Sequence, residues 1–189
     1  MYNKKYLDVI DQNASLFTDV SDKIWEYAEL SLMEFQSAEL YCKVLKDAGF
    51  EVETPVAGIK TAFKAIYGSG KPVIGILAEY DALSGLSQIG GATERKELVP
   101  NGCGHGCGHN MLGAGAMAAA FAVKKYLEEM FSTVIPEALS SMVVLVKKAV
   151  QPKHLWHVTA SGKNWTLLLP GIQAVLIRLL REPATPASR

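Results

Sequence analysis

Four of the seven cysteines and histidines in this chain fall within seven positions, where Cys103, His105, Cys107 and His109 alternate with glycines in the segment NGCGHGCGHN. Thiolate and imidazole are the ligands that zinc and related divalent ions prefer, and glycine lets a backbone fold tightly around an ion. Three cysteines in a chain whose first residues, MYNKKYLDVID, form no apolar leader do not read as a disulfide framework. Cysteines set beside histidines read as metal chemistry instead. Two arrangements are open from the spacing. All four side chains could close one non-catalytic zinc site, although they stand closer together than finger-type ligands do. Alternatively a subset could hold a metal whose remaining positions face a substrate.

The elements that must position this segment can be read from periodicity. Apolar residues recur at helical spacing from Tyr6 to Leu32, predicting one or two amphipathic helices. A further helix is expected over 37–48, with Leu40, Val44 and Leu45 inward, Cys42 in the core and Gly49 as a left-handed terminator. Short alternating strands are expected at 50–53 and 61–67. After Pro72 the run VIGILA is almost unbroken and predicts a central strand buried on both faces. That strand delivers Glu79, Tyr80 and Asp81 at its carboxyl end, where open α/β sheets place ligand sites. A long polar, glycine-containing loop, 82–108, then leads to the cysteine and histidine segment, and loops of that length inside a domain tend to be functional. From His109 a helix rich in alanine and glycine follows, suited to close packing on a sheet. Val143–Val146 could form another strand, whereas 151–189 follows neither period.

Length and composition allow one domain with a real core, and the formal net charge is zero. No nucleic-acid partner is expected, and no membrane partner, because the best apolar run, Met111–Val123, falls short of the roughly 18 residues a span needs. The expected location is cytoplasmic. Charge is nonetheless uneven: residues 138–189 hold seven bases and one acid, Glu182. The expected division is 1–132 as the front of a catalytic domain and 133–189 as a tail foreign to it.

HGCGHN followed by a small-residue helix, with EYDALSGLSQ ahead of it at the end of an apolar strand, resembles the aminobenzoyl-glutamate hydrolase family. That family lies within the di-metal aminoacylases, carboxypeptidases and amidohydrolases. The resemblance runs from about Asp19 to Glu129 and includes GKPVIGILAEYDALSGLSQ. It implies an α/β, zinc-peptidase-like catalytic domain of helices on a mixed sheet, here truncated and without the lid and dimerisation domain. It implies Cys107 and His109 as metal ligands, Asp81 as the acid that orients the site, and His105 and Glu79 as weaker candidates. Cys103 has no counterpart, and His154 and His157 receive no role. The implied cofactor is zinc or manganese, and the implied substrate is a small amide such as aminobenzoyl-glutamate or another N-acyl amino acid. A homo- or hetero-oligomer is implied for the full-length family. There, two metal ions activate a water while a glutamate of a Glu-Glu-Gly-Gly motif acts as general base. That motif has no match after Glu129, so the chain alone is expected to be inactive.

The charge shift and the missing motif have one candidate cause. Val146–His154, VKKAVQPKH, can be written GTG AAG AAG GCG GTT CAG CCA AAA CAT. Read from the last base of the first codon, the same string gives EEGGSAKT. Permitted codons through Gln173 continue it as FMARDGLWEKLDFALTWHP, which contains the Trp-His-Pro that carries a ligand histidine in the family. A frameshift between about Glu129 and Ser140 is therefore expected.

Overall fold

The computed structural model describes the backbone of residues 4–56, 58–69, 73–133, 141–146, 156–160 and 163–167. Helix α1, Lys4–Gln12, stops at Asn13, whose side-chain amide donates to the Val9 carbonyl at 2.8 Å. Helix α2, Ala14–Tyr27, then starts afresh and buries Phe17, Val20, Ser21 and Ile24, an i, i+3, i+4, i+7 stripe. Ala28, left-handed at φ 45°, ends it and hydrogen-bonds the Ile24 carbonyl.

Helix α3, Phe35–Asp47, is capped from a distance. The Glu29 carboxylate accepts the backbone N–H of Gln36 and of Ser37, each at 2.9 Å, and the Ser37 hydroxyl at 2.8 Å. A negative group there satisfies two orphan amides and complements the helix dipole. At the other end Gly49, at φ 84°, lets its own N–H reach Lys46 O while the Phe50 N–H reaches Leu45 O, the closure expected of a left-handed glycine. The buried stripe of α3 is Ala38, Tyr41, Cys42 and Leu45. Leu40 and Val44, expected inward, pack on the margin of the core, while Cys42 lies within it as expected.

Strands β1 (Glu51–Glu53), β2 (Phe63–Tyr67), β3 (Val73–Ala78) and β4 (Ser141–Val146) form a mixed sheet in the order β1-β2-β4-β3. The first two neighbour pairs are antiparallel, and β3 runs parallel to β4 with Val73 opposite Ser141 and Ala78 opposite Val146. The apolar run predicts β3 at the centre. Among the described residues it instead closes the sheet order, with β4 between it and β2. That run is satisfied differently: Ile76 and Ala78 are buried, while Gly75 and Leu77 are only half-buried. Strands β5 (Trp156–Ala160) and β6 (Lys163–Leu167) pair antiparallel, in a stretch whose sequence shows no period.

Helix α4, His109–Thr133, packs on β3 and β4 and receives α1 and α2 on its other sides. Its alanines make the approach close, with Ala114, Ala116, Ala118 and Ala120 all buried. Gly113 makes it closest, since a Cβ there would stand 2.2 Å from Tyr41 Oη and 2.8 Å from the Glu79 carbonyl. The core between the helices and the sheet holds Ile24, Leu45 and Phe63 at full burial. Each such side chain contributes roughly 1.5–3 kcal/mol of burial energy.

Candidate metal centre

The carboxyl end of β3 and the first turn of α4 meet at one place. Glu79 and Asp81 follow directly on β3, and His109 opens α4, so elements 28 residues apart in sequence present their side chains to each other. His109 Nδ1 lies 3.0 Å from Asp81 Oδ1, and Nε2 lies 3.0 Å from Glu79 Oε2. All three residues are at least nine-tenths buried. Their potential ligand atoms lie within 4.8 Å of one another, the one such group of three among the described residues.

Electrostatics follow from that geometry. The hydrogen bond to Asp81 raises the pKa of His109 above its ordinary value, aided by the charges of Asp81 and Glu79 and opposed by burial. The ring is thus held between two carboxylates, one at each nitrogen. Two carboxylates and an imidazole are also a donor set that suits zinc or manganese, so the residues present fit a divalent cation.

The loop before α4 is built to hold His109 in place. Leu83 and Gly104 exchange two backbone hydrogen bonds, each 2.9 Å, and Ser87 N donates to Gly102 O. The Ser87 hydroxyl in turn accepts the Val99 N–H at 2.9 Å. Gly104 is required where it stands, because a Cβ would fall 1.9 Å from the Leu86 carbonyl oxygen. Gly104 thus serves backbone-to-backbone packing. From the other side Asn110 Nδ2 donates to Ser21 Oγ at 3.0 Å, tying the first turn of α4 to α2.

The structure separates the candidates read from the sequence. Glu79, Asp81 and His109 converge. His105 is buried and turned to α2, where its Nε2–H donates to the Ile24 carbonyl at 2.9 Å. Its Nδ1 has no hydrogen-bond partner among the described residues, and desolvation lowers its pKa. Cys107 is exposed and Cys103 half-buried, and neither enters the three-residue group. The four alternating residues therefore do not gather as a set, and His109 alone among them joins the carboxylates. His154, to which the resemblance gives no role, lies outside the described residues.

Helices packed on a mixed sheet, with Glu79 and Asp81 after a strand that runs parallel to its neighbour and His109 at a helix start, make an α/β fold. Two solved structures share it. One is an aminohydrolase from methicillin-resistant Staphylococcus aureus (TM-score 0.58, 23% identity), matched over 78% of this chain and 35% of its own. The other is a dinuclear metal-binding peptidase of the M20 family from Bacillus subtilis (TM-score 0.56, 20% identity), matched over 77% of this chain and 36% of its own. In sequence the chain is similar to one subunit of the p-aminobenzoyl-glutamate hydrolase of Escherichia coli strain K12, with 49% identity over 122 residues. That match takes in 65% of this chain and 25% of the relative, so the chain spans about a quarter of the relative's length. The resemblance drawn from EYDALSGLSQ and HGCGHN is borne out, and with it the α/β fold. No family model matches the chain. No helix among the described residues is long and apolar enough to cross a membrane.

Proposed function

We propose that this chain carries part of the centre of a metal-dependent amidohydrolase whose substrate is aminobenzoyl-glutamate or a similar N-acyl amino acid. The observation that carries this reading is the convergence of Glu79, Asp81 and His109 at the end of β3. Asp81 orients His109 through Nδ1, as the carboxylate behind a metal-bound histidine commonly does. The other nitrogen, Nε2, is then directed toward Glu79 and available to an ion. Cys107, two residues before His109, is the proposed further ligand. A zinc or manganese ion held there would supply Lewis acidity toward the amide carbonyl and toward water.

These 189 residues hold no match to the Glu-Glu-Gly-Gly motif, and the shifted reading of Val146–His154 supplies one. We therefore assign the general base to the other reading frame, and the chain alone binds metal without turning substrate over. The Escherichia coli relative is by its name one subunit of its enzyme, which supports a partner chain for the assembled protein. A cytoplasmic location and a small-molecule substrate belong to the same reading.

Calorimetric titration of the purified chain with zinc and with manganese tests it, alongside chromatographic assay of 4-aminobenzoyl-glutamate cleavage. Saturable binding lost in His109→Ala and Cys107→Ser, with no product, is the expected result. Absence of binding removes the metal centre, and cleavage by the chain alone removes the assignment of the base elsewhere. Equal loss of binding from Cys103→Ser and Cys107→Ser would instead favour a closed, non-catalytic zinc site.

A further inference from the structure

We propose that Tyr80 is a positioning residue for the metal centre, holding the Glu79 and Asp81 carboxylates at their spacing through a buried chain of hydrogen bonds to Thr61 and Glu34. The inference rests on the metal reading above. Tyr80 stands between the two acids, and while they reach His109 its ring lies in the core against Tyr41, at 5.3 Å between centroids, and nearly parallel to Phe63 at 6.2 Å. Its hydroxyl donates to the Thr61 carbonyl, and the Thr61 hydroxyl donates to Glu34 Oε2 at 2.8 Å. Tyr80 is 1% exposed, and Thr61 and Glu34 are wholly buried. Glu34 immediately precedes α3, so the chain of bonds runs from the start of α3, through the turn before β2, to the residue between the two acids.

Packing alone does not call for this arrangement. A phenylalanine at 80 would fill nearly the same volume, and an apolar residue at 34 would avoid burying a carboxylate. What the polar chain adds is a fixed position along the strand axis, because a hydrogen bond has a defined length and direction whereas ring packing tolerates sliding. A side chain locked on one side of the backbone fixes the two neighbours that project to the other side. Metal ligands demand that precision, and removing the groups that orient them typically lowers affinity about 10–100-fold.

The test is a cobalt(II) titration of the full chain, read by calorimetry and by the visible absorption of the bound ion. Tyr80→Phe is compared with Tyr41→Phe, whose buried hydroxyl has no hydrogen-bond partner among the described residues and whose ring shares the same cluster. The expected result is affinity about 10-fold weaker or more, with an altered cobalt spectrum, in Tyr80→Phe, and wild-type behaviour in Tyr41→Phe. Wild-type affinity and spectrum in Tyr80→Phe, or equal loss in both variants, overturns the proposal. If Tyr80→Phe fails to fold, Thr61→Val, which cuts the link to Glu34 alone, takes its place with the same two outcomes. Should the wild-type chain bind no cobalt, the metal reading falls by itself. The positioning claim is then decided in the metal-free protein by the His109 ring N–H resonances. A shift of those resonances in Tyr80→Phe and not in Tyr41→Phe supports it, and no shift in either overturns it.

Discussion

His109 Nδ1 lies 3.0 Å from Asp81 Oδ1, a contact that joins the start of α4 to the end of β3. The pKa of His109 is raised, first by this hydrogen bond and then by the charges of Asp81 and Glu79. A histidine whose folded pKa exceeds its unfolded value of about 6.5 contributes stability fully below that pH, and the contribution is lost as pH rises through the folded pKa. In chelator, the melting temperature of the chain should fall relative to His109→Gln as pH is raised from about 6.5 upward. Metal affinity should move the other way over the same window, since the ligand nitrogen must first lose its proton. Parallel melting curves for the two proteins across that range would contradict this account of the pair.

Gly113 and Gly115 lie two residues apart on α4 and should respond oppositely to alanine. At 113 a Cβ meets Tyr41 Oη at 2.2 Å and the Glu79 carbonyl at 2.8 Å, and a backbone atom cannot step aside cheaply. Gly113→Ala should cost about 1–3 kcal/mol, as overpacking generally does. It should also weaken metal binding, because the residue displaced is Glu79. At 115 nothing lies within 4 Å, so the alanine gains helix propensity without a clash and should stabilise by up to about 1 kcal/mol. Thermal denaturation of both variants is the check, and a Gly113→Ala protein as stable as wild type would show that α4 does not sit this close to β3.

His105 and His109 should separate by function. His105 spends Nε2 on the Ile24 carbonyl and stacks its ring loosely near Trp25, at 6.2 Å between centroids. His105→Ala removes the second donor to the Ile24 carbonyl, which keeps the Ala28 N–H, so about 0.5–1.5 kcal/mol of stability is the expected loss. Zinc affinity should survive in that variant and vanish in His109→Ala. A loss of zinc from His105→Ala at temperatures where it remains folded would make His105 a ligand after all.

Local signals carried the helices and the site's acids. The i, i+3, i+4 stripe of α2, the Gly49 terminator and the small-residue face of α4 are each written in neighbouring residues, which is why they could be read without a fold. Glu79, Asp81 and His109 were legible because a strand end and a helix start are places where chemistry collects. The place of β3 in the sheet was not legible, since an apolar run of six residues looks alike whether a helix or another strand covers its second face. Nor was the link from Glu34 to Tyr80, where a buried carboxylate reads in sequence as one more surface acid ahead of a helix. Its only advance signal was an aromatic residue between two acids, and that pattern is too common to decide anything. The role of His105 was hidden for a related reason, because its partner is a main-chain carbonyl, which every residue has.

The reading frame of the tail is open to a direct measurement. Residues 138–189 hold seven bases and one acid, against a preceding stretch in which acids outnumber bases. Translation of a frame never selected for protein would give such a break, and the proposed frameshift rests on it. The two readings make different demands on the nucleotides, since each amino acid of VKKAVQPKH leaves its third base largely free, and those free bases become the first bases of EEGGSAKT. Lys147 and Lys148, for instance, must be written with a codon ending in G for the second glutamate and the first glycine of the motif to appear. The gene is expected to use AAG at both positions and to continue, in the shifted frame, into a Trp-His-Pro over Gly171, Ile172 and Gln173. An AAA codon at either lysine, or a stop in the shifted frame before position 173, would show that the tail is not an out-of-frame remainder. Under the proposed function, restoring the frame by a single-base change upstream of Ser141 is expected to yield a longer chain that cleaves 4-aminobenzoyl-glutamate, with no cleavage expected from the original chain.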